Sequence, residues 1–399
     1  MNLPANSQAA PAASERGVSL WQDARRRLWR NPAARWSARL LCVMALLAFF
    51  APMLPLQSPI LQDLKRRQFQ PPSLKPASLG LLAYRRQVAE LQQKAADQSA
   101  AQFRVAGDNA AGREELAALQ KQLDQLTASD PSRTLWHNPG WIASGMIRLR
   151  LAIFGDWCIP SICGTDSLGR DVLSRIFWGS RVSLAVGIIA SLVSLVIGVS
   201  FGAVSGYYGS WVDDVMMRFV DILYSIPFIF VVIFMLTILS DPSWKSWLER
   251  YHIDQIMIVY ILIGCIYWLT MARVVRGQVI SLKNEQFVEA ARTIGASRPR
   301  IIFLHIVPNV MSVVIVYLTL TIPAVMLFEA FLSFLGLGVQ PPDVSLGQLV
   351  NDGVQVISPI RTFWWIVAFP SLTLTITLFA LNFLGDGVRD ALDPRMKNR

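Results

Sequence analysis

Six long apolar segments dominate this sequence and limit what the chain can fold into. Each approaches or exceeds the roughly 20 residues that an α-helix needs to cross the hydrocarbon of a bilayer. The segments are 37–56, 183–206, 215–239, 256–275, 310–337 and 364–385. Of the 399 residues, 53% are hydrophobic and only 16% are charged, against about 25% charged in soluble domains. The sequence therefore predicts an all-α integral membrane protein with six transmembrane helices.

Lysine and arginine are unevenly distributed among the short loops between these segments. With the N-terminus taken as cytoplasmic, the inside segments carry seventeen of them and the two short outside loops carry three. Positively charged residues are enriched in cytoplasmic loops, so this asymmetry predicts that both termini are cytoplasmic. Residues 1–36 then form a basic cytoplasmic tail, and 37–56 form the first transmembrane helix.

A long insertion, residues 57–163, separates the first two spans and is predicted to lie outside the cytoplasm. Apolar residues recur at spacings of three and four on both sides of the turn-forming stretch AGDNAAG, which predicts an antiparallel helical hairpin near 81–128. Near 141–155, apolar residues at helical spacing predict an amphipathic helix on the membrane surface. The alternative there is a true span, which would reverse the orientation of every later segment.

Two cysteines lie close together in the insertion, in the stretch CIPSIC. Cys158 and Cys163 could form a short-loop disulfide if this side of the membrane is oxidising. They could equally be two unrelated free thiols. The sequence leaves both alternatives open.

No motif in the sequence supplies energy or catalysis. The phosphate-binding pattern G-x-x-x-x-G-K-[ST] is absent, and so is any histidine and cysteine cluster at metal-ligand spacing. We therefore expect no catalytic residue, no metal and no cofactor in this chain. If the protein moves a substrate against a gradient, another chain has to supply the energy.

Two features inside the predicted spans could carry a role. Gly198, Gly202 and Gly206 lie four residues apart and would let a neighbouring helix approach closely, although glycine is also common in membrane helices. Glu329 lies in the fifth span, where a charged side chain is costly and usually functional. It could face a substrate path, bind a cationic group of a substrate, or pair with a polar group between helices.

A polar, arginine-rich segment, 285–308, interrupts the apolar second half of the chain with the sequence EQFVEAARTIGASRPRIIFLHIVP. We predict a first helix to Ile294, a left-handed turn at Gly295, and a second helix from Ser297 to about Val307. This helix–Gly–helix unit suits a cytoplasmic groove on a partner; a lipid-facing amphipathic helix is the alternative. The predicted contact residues are Phe287, Glu289, Ala290, Ala291, Arg292, Gly295 and Arg298.

The stretch EAARTIG, followed at a distance by HIVPN, resembles the EAA loop of ABC importer permeases. Three more blocks resemble the C-type permease of the oligopeptide, dipeptide and nickel branch: GTDSLGRDVLSRIFWGSRVSL, EAFLSFLGLGVQPPDVSLGQLVNDG and LGDGVRDALDPR. The resemblance covers about 164–399 and the first span. Two features depart from the pattern: Leu346 stands where tryptophan is common, and the insertion is longer than usual.

The resemblance implies a permease core at 164–399 with five transmembrane helices, in the inner membrane of a bacterium. Its partners would be a homologous second permease, two ABC ATPases that use the ATP, and a periplasmic substrate-binding protein. No nucleic acid is implied. The loop 285–308 would couple the permease to an ATPase. The cargo would be a peptide, with nickel or another small solute as the alternative; a carrier that works alone is the remaining one.

Overall fold

The computed structural model describes residues 20–64, 67–79, 140–239, 255–339 and 343–392, together with 92–94, 97, 136, 241 and 244. The described chain is helical apart from one two-stranded pairing. The helices are α1 (Leu20–Arg30), α2 (Pro32–Phe49), α3 (Trp141–Phe154), α4 (Val172–Tyr208), α5 (Ser210–Ser225), α6 (Phe228–Leu239), α7 (Gln255–Leu282), α8 (Gln286–Thr293), α9 (Arg298–Phe334), α10 (Leu346–Gln355) and α11 (Trp364–Leu392). The strands are β1 (Ala77–Ser78) and β2 (Trp157–Cys158).

Five of the described helices are long and apolar enough to cross a membrane, namely α2, α4, α7, α9 and α11. The third predicted span, 215–239, is instead a bent pair, because α5 and α6 meet at an angle of 78°. Pro227 lies in the break; it lacks an N–H donor and holds Ile226 in an extended conformation. The prediction of six spans holds only if this bent pair counts as one.

The N-terminal region departs from the predicted boundaries. Where the sequence predicted a tail up to residue 36, the structure has α1 and then α2, which begins at Pro32 and ends at Phe49. The Asn31 side chain accepts hydrogen bonds from the backbone N–H groups of Ala33 and Ala34. An asparagine cap followed by proline in the first turn is a strong helix start, so the helix begins before the apolar run does.

Helices α4 and α7 pack closely along the glycine face. A Cβ atom on Gly198 would lie 2.6 Å from the Met271 Cβ, and one on Gly206 would lie 2.8 Å from the Arg276 carbonyl oxygen. A Cβ on Gly202 would overlap the carbonyl oxygen of Ala272. The two backbones therefore come together at these three positions, as small residues permit in membrane helices.

Asp63 and residues 67–79 run antiparallel to residues 156–168. Backbone hydrogen bonds join Asp63 N to Leu168 O at 3.0 Å and Leu79 N to Asp156 O at 3.1 Å, and β1 pairs with β2 between these ends. The two ends of the insertion therefore lie side by side where they join the helical core, and this paired region is called the base of the insertion. The hairpin predicted at 81–128 lies outside the described residues, apart from 92–94 and 97.

The amphipathic segment predicted near 141–155 forms the 14-residue helix α3, about 21 Å long at 1.5 Å per residue. This is short of the roughly 30 Å of hydrocarbon that a span must cross. Its apolar residues Ile142, Leu149 and Ile153 are exposed, whereas Arg150 is fully buried and donates to the carbonyl oxygens of Leu56 and Trp157. The helix therefore turns one of its arginines inward and several of its apolar side chains outward.

The cysteines of the insertion are not joined. All four cysteines of the chain are free. Cys158 packs with Leu79 and Ile147, whereas Cys163 packs in a separate cluster with Val172 and Ile176. Burial raises the pKa of the Cys163 thiol to about 12, so the thiol stays protonated. The free-thiol alternative holds in this structure.

Candidate functional site

The first half of segment 285–308 folds as the sequence predicts. Helix α8 begins after Glu285 and ends at Thr293. Gly295 has a φ of +84°, and the N–H groups of Gly295 and Ala296 donate to the carbonyl oxygens of Arg292 and Ala291. This pair of bonds is the Schellman motif, which satisfies the last carbonyls of a helix and requires a left-handed residue.

The second half of the segment does not form a separate short helix. Helix α9 starts after Ser297 and continues to Phe334, with a π-helical turn at Ile301–Ile306. Pro308 does not break the helix, because the wider turn before it gives the proline ring room. Nearby, the Asn309 side chain donates to the carbonyl oxygen of His305 at 2.6 Å. The fifth span therefore extends down to α8 without an interruption.

Helix α8 is held to the protein by one narrow face. Val288 and Ala291 are buried in a cluster with Val279 of α7 and Ile302 of α9. The other α8 side chains are exposed, and Ile294, just after the helix, is 86% exposed. Of the predicted contact residues, Phe287, Glu289 and Ala290 face outward and Ala291 faces inward. The helix thus presents a thin, uncovered surface at the end of the bundle.

The arginines of this segment contact their own chain. The guanidinium of Arg292 lies 5.5 Å from the ring centre of Tyr207, and that of Arg298 lies 5.4 Å from the ring centre of Tyr208. Arg292 also donates to the carbonyl oxygen of Lys283 at 3.3 Å. Cation–π contacts of this kind fix α8 and the start of α9 to the end of α4. The contact of both arginines with a partner stays a prediction. No pattern in the sequence pointed to the two tyrosines, although YYG directly before α5 marks the end of a helix.

A polar junction joins three helices near α8. Asp213 of α5 accepts two hydrogen bonds from Arg276 of α7, at 2.6 and 2.5 Å. It also accepts the hydroxyl of Ser205 of α4. Such bidentate pairs add geometric specificity. The sequence analysis missed this junction because its members lie far apart along the chain.

The buried carboxylate Glu329 lies between α4, α9 and α10. Its side chain is 1% exposed and accepts from the hydroxyls of Ser333 at 2.7 Å and Ser183 at 3.3 Å. Ser183 in turn accepts from the backbone N–H of Leu346 at 3.0 Å. Of the three roles considered for Glu329, the geometry within this chain fits the pairing with a polar group between helices.

At the opposite end of the bundle, a network of ion pairs surrounds the start of α4. Asp166 accepts from Arg175 at 2.6 Å and from Arg170 at 2.7 Å, and Arg175 also binds Asp352 at 3.0 Å. Asp171 caps α4 through the N–H of Ser174 at 2.8 Å. This network fastens the base of the insertion to the segment that carries α10.

Asp171 gives a pH-dependent prediction. Burial raises the pKa of its carboxyl to about 6, against the effects of the bonds from Ser174 and Ser161 and of the Arg67 charge. Because the pKa of Asp171 is higher in the folded than in the unfolded chain, its ionised carboxyl lowers the free energy of unfolding above pH 6. This loss of stability disappears as the pH falls toward about 4. Asp171→Asn keeps a good helix cap and removes the charge. We expect the substitution to raise the free energy of unfolding at pH 7.5 by up to about 3 kcal/mol. The thermal midpoint should rise with it.

The measurement is thermal unfolding in detergent between pH 4 and pH 8. The gap between Asp171→Asn and the wild type should close as the pH falls, and Asp386→Asn, at an exposed carboxylate, should show no such trend. An advantage that is the same at every pH would contradict the assignment.

Comparison with known proteins places the chain in a family. The family described as binding-protein-dependent transport system inner membrane component matches residues 198–398. A second, described as N-terminal TM domain of oligopeptide transport permease C, matches residues 19–72. A solved structure of the MetNI methionine ABC transporter in an inward-facing conformation covers 56% of this chain and 96% of its own, with 19% identity and a TM-score of 0.42, a likeness too low to carry an argument.

Three curated relatives are more similar. The oligopeptide transport system permease protein OppC of Haemophilus influenzae is 48% identical over 58% of this chain and 70% of its own length. The dipeptide transport system permease protein DppC of Bacillus subtilis is 44% identical over 59% and 68%. OppC of Escherichia coli K12 is 42% identical over 67% of this chain and 90% of its own length. This chain belongs to the family of binding-protein-dependent transport system inner membrane components, and within it is similar to the C-type oligopeptide and dipeptide permeases.

Proposed function

We propose that this chain is a membrane-spanning permease subunit of an ATP-driven importer of peptides. The observation that carries the proposal is α8: its Val288 and Ala291 side chains hold it to the core, and its remaining surface is uncovered. A separate ATPase grips that surface. The names of the relatives, which are oligopeptide and dipeptide permeases, support a peptide as the cargo.

Movement of α8 reaches two spans. Val288 packs against the start of α9, at Ile301 and Ile302, so a push on α8 is passed to the fifth span. Arg292 and Arg298 hold the end of α4 through Tyr207 and Tyr208, so the same push is passed to the second span. Closure of an ATPase beneath α8 would then rock these helices between two arrangements of the permease.

The complete transporter in this proposal has four further parts. A homologous second permease, two ABC ATPases and a periplasmic substrate-binding protein assemble with this chain in a bacterial inner membrane, with both termini and α8 in the cytoplasm. The excess of lysine and arginine in the inside loops supports this orientation. Nickel or another small solute is the alternative cargo.

A carrier that works alone is the weaker alternative. It would need a site for a coupling ion among the charges within the spans. Glu329 is the candidate that the sequence offers for such a site. Its carboxylate accepts hydrogen bonds from the hydroxyls of Ser333 and Ser183, and these bonds favour a structural role.

The test is reconstitution in liposomes with and without the partner subunits. We expect uptake of labelled peptide only when the ATPases, the second permease, the binding protein and ATP are all present, and none with a non-hydrolysable ATP analogue. Uptake by this chain alone would refute the proposal, and ATP-driven uptake of nickel without peptide would refute the choice of cargo.

A further inference from the structure

Helix α1 carries a basic face that the proposed function does not use. Arg25, Arg26, Trp29 and Arg30 are exposed. Arg25 and Trp29 are four residues apart, as are Arg26 and Arg30, so the four side chains lie within about 140° of the helix circumference. Trp29 is 48% exposed. We call these four residues the α1 basic face.

The opposite side of α1 is anchored to the bundle. Leu28 lies against Gly387 of α11, where a Cβ would meet the Leu28 Cδ1 at 3.4 Å and would overlap the Cβ of Ala34. Only Asn31 separates α1 from α2, and its side chain caps α2. The α1 basic face is therefore held in place beside the first residues of the first span.

The arginines of this face have no acidic partner among the residues that the structure describes. The one acidic residue of α1, Asp23, pairs with Arg27 at 2.6 Å. On the neighbouring helix α11, Asp386 and Asp390 are exposed and form no ion pair with Arg25, Arg26 or Arg30 within the described chain. One short helix thus carries three arginines that have no acidic partner among the described residues.

The first span, which begins one residue after α1, exposes an apolar stripe. Large apolar side chains are exposed at Trp36, Leu40, Val43, Leu46 and Leu47 of α2 and at Phe50 just after it. The guanidinium of Arg39 lies 5.1 Å from the ring centre of Trp36, so an arginine and a tryptophan again lie together near the start of the span. A row of arginine and tryptophan next to an apolar stripe is typical of the boundary between lipid headgroups and hydrocarbon.

We propose that the α1 basic face binds the headgroups of anionic phospholipids, with the α2 stripe in the adjacent hydrocarbon. Guanidinium groups bind phosphate through paired hydrogen bonds, and juxtamembrane arginines are attracted to anionic bilayers. The alternative is that a protein partner covers the α1 basic face. Lipid is favoured because only Asn31 separates α1 from a span that exposes an apolar stripe along its length, where a bilayer must lie.

The test is native mass spectrometry of the full-length chain in neutral detergent, titrated with phosphatidylglycerol or phosphatidylcholine of the same acyl chains. The wild type should bind phosphatidylglycerol more tightly than phosphatidylcholine. The triple variant Arg25→Gln, Arg26→Gln and Arg30→Gln should weaken phosphatidylglycerol binding about a hundredfold, since each arginine contributes roughly fivefold. Its binding of phosphatidylcholine should not change.

A matched control removes three exposed charges elsewhere: Lys75→Gln, Lys94→Gln and Arg361→Gln. It should bind phosphatidylglycerol like the wild type. Equal binding of the two lipids, or an equal loss in the control, would overturn the proposal. A photo-crosslinker in place of Arg26, in the complex assembled in native membranes, should label lipid; a protein adduct in its place would also overturn it.

Discussion

Replacing Gly202 with valine (Gly202→Val) is expected to prevent the folded bundle from forming. The Cβ of any residue here would overlap the carbonyl oxygen of Ala272 and would lie 3.0 Å from the Arg276 backbone nitrogen. Because these are backbone atoms of α7, no side chain can rotate away, and α4 would have to separate from α7. Overpacking of a well-packed site typically costs 1–3 kcal/mol, and we expect more than about 3 kcal/mol here because the backbones themselves must part.

The readout is the yield of monodisperse protein in detergent and its thermal midpoint. Gly277→Val is the matched control, because Gly277 lies on α7, is exposed, and has no atom within 4 Å of its built Cβ. Valine is a slightly better helix former than glycine, so the control should fold at least as well as the wild type. A Gly202→Val protein as stable as the control would show that α4 and α7 do not meet at this position.

The close packing of α4 on α7 also bears on function. The end of α4 carries Tyr207 and Tyr208, which hold Arg292 and Arg298, and the end of α7 leads into α8. The junction of Asp213 with Arg276 lies near the same ends. The two helices and α8 therefore form one joined unit, so that a force on α8 is carried by both helices.

The long apolar helices could be predicted from the sequence, since hydropathy and length define a span without knowledge of its neighbours. Gly295 was also predictable, because the left-handed end of a helix is a local property. The bend at Pro227 was not, although the proline was visible. Proline is tolerated in spanning helices when neighbours satisfy the freed backbone, so the residue alone does not give the angle.

The contacts of the arginines could not be predicted either. A basic residue in a polar loop is usually interpreted as contacting a partner or lipid. Sequence periodicity does not reveal an aromatic ring about 85 positions earlier in the chain, such as the Tyr207 ring that Arg292 contacts. Arg150 shows the same limit. Its burial depends on the carbonyl oxygens of Leu56 and Trp157, which accept its hydrogen bonds and which helical periodicity does not reveal.

Reversing the charge of Glu289 (Glu289→Lys) is expected to abolish coupling without loss of folding. Glu289 is exposed on α8. Among the described residues its hydrogen bonds are made by its backbone, to the carbonyl oxygen of Glu285 at 3.2 Å and from the Thr293 hydroxyl at 2.8 Å. The substitution therefore removes nothing from the core. In the proposed complex, an ATPase binds the uncovered side of α8, and its groups there complement the Glu289 carboxylate. A lysine at this position would face the same groups with the opposite charge, and this would weaken binding by several kcal/mol. We expect at least a tenfold fall in ATP-driven peptide uptake and in the stimulation of ATPase activity by substrate.

The control is Asp390→Lys, the same charge reversal at an exposed position on α11. It should leave uptake and ATPase stimulation unchanged, and both variants should match the wild type in yield and thermal midpoint. Normal uptake with Glu289→Lys would exclude this face of α8 from the contact. Equal loss in both variants would point to a general effect of charge at the end of the bundle, which would also contradict a specific grip on α8. Only a loss confined to Glu289→Lys fits a partner that closes around the thin side of this helix.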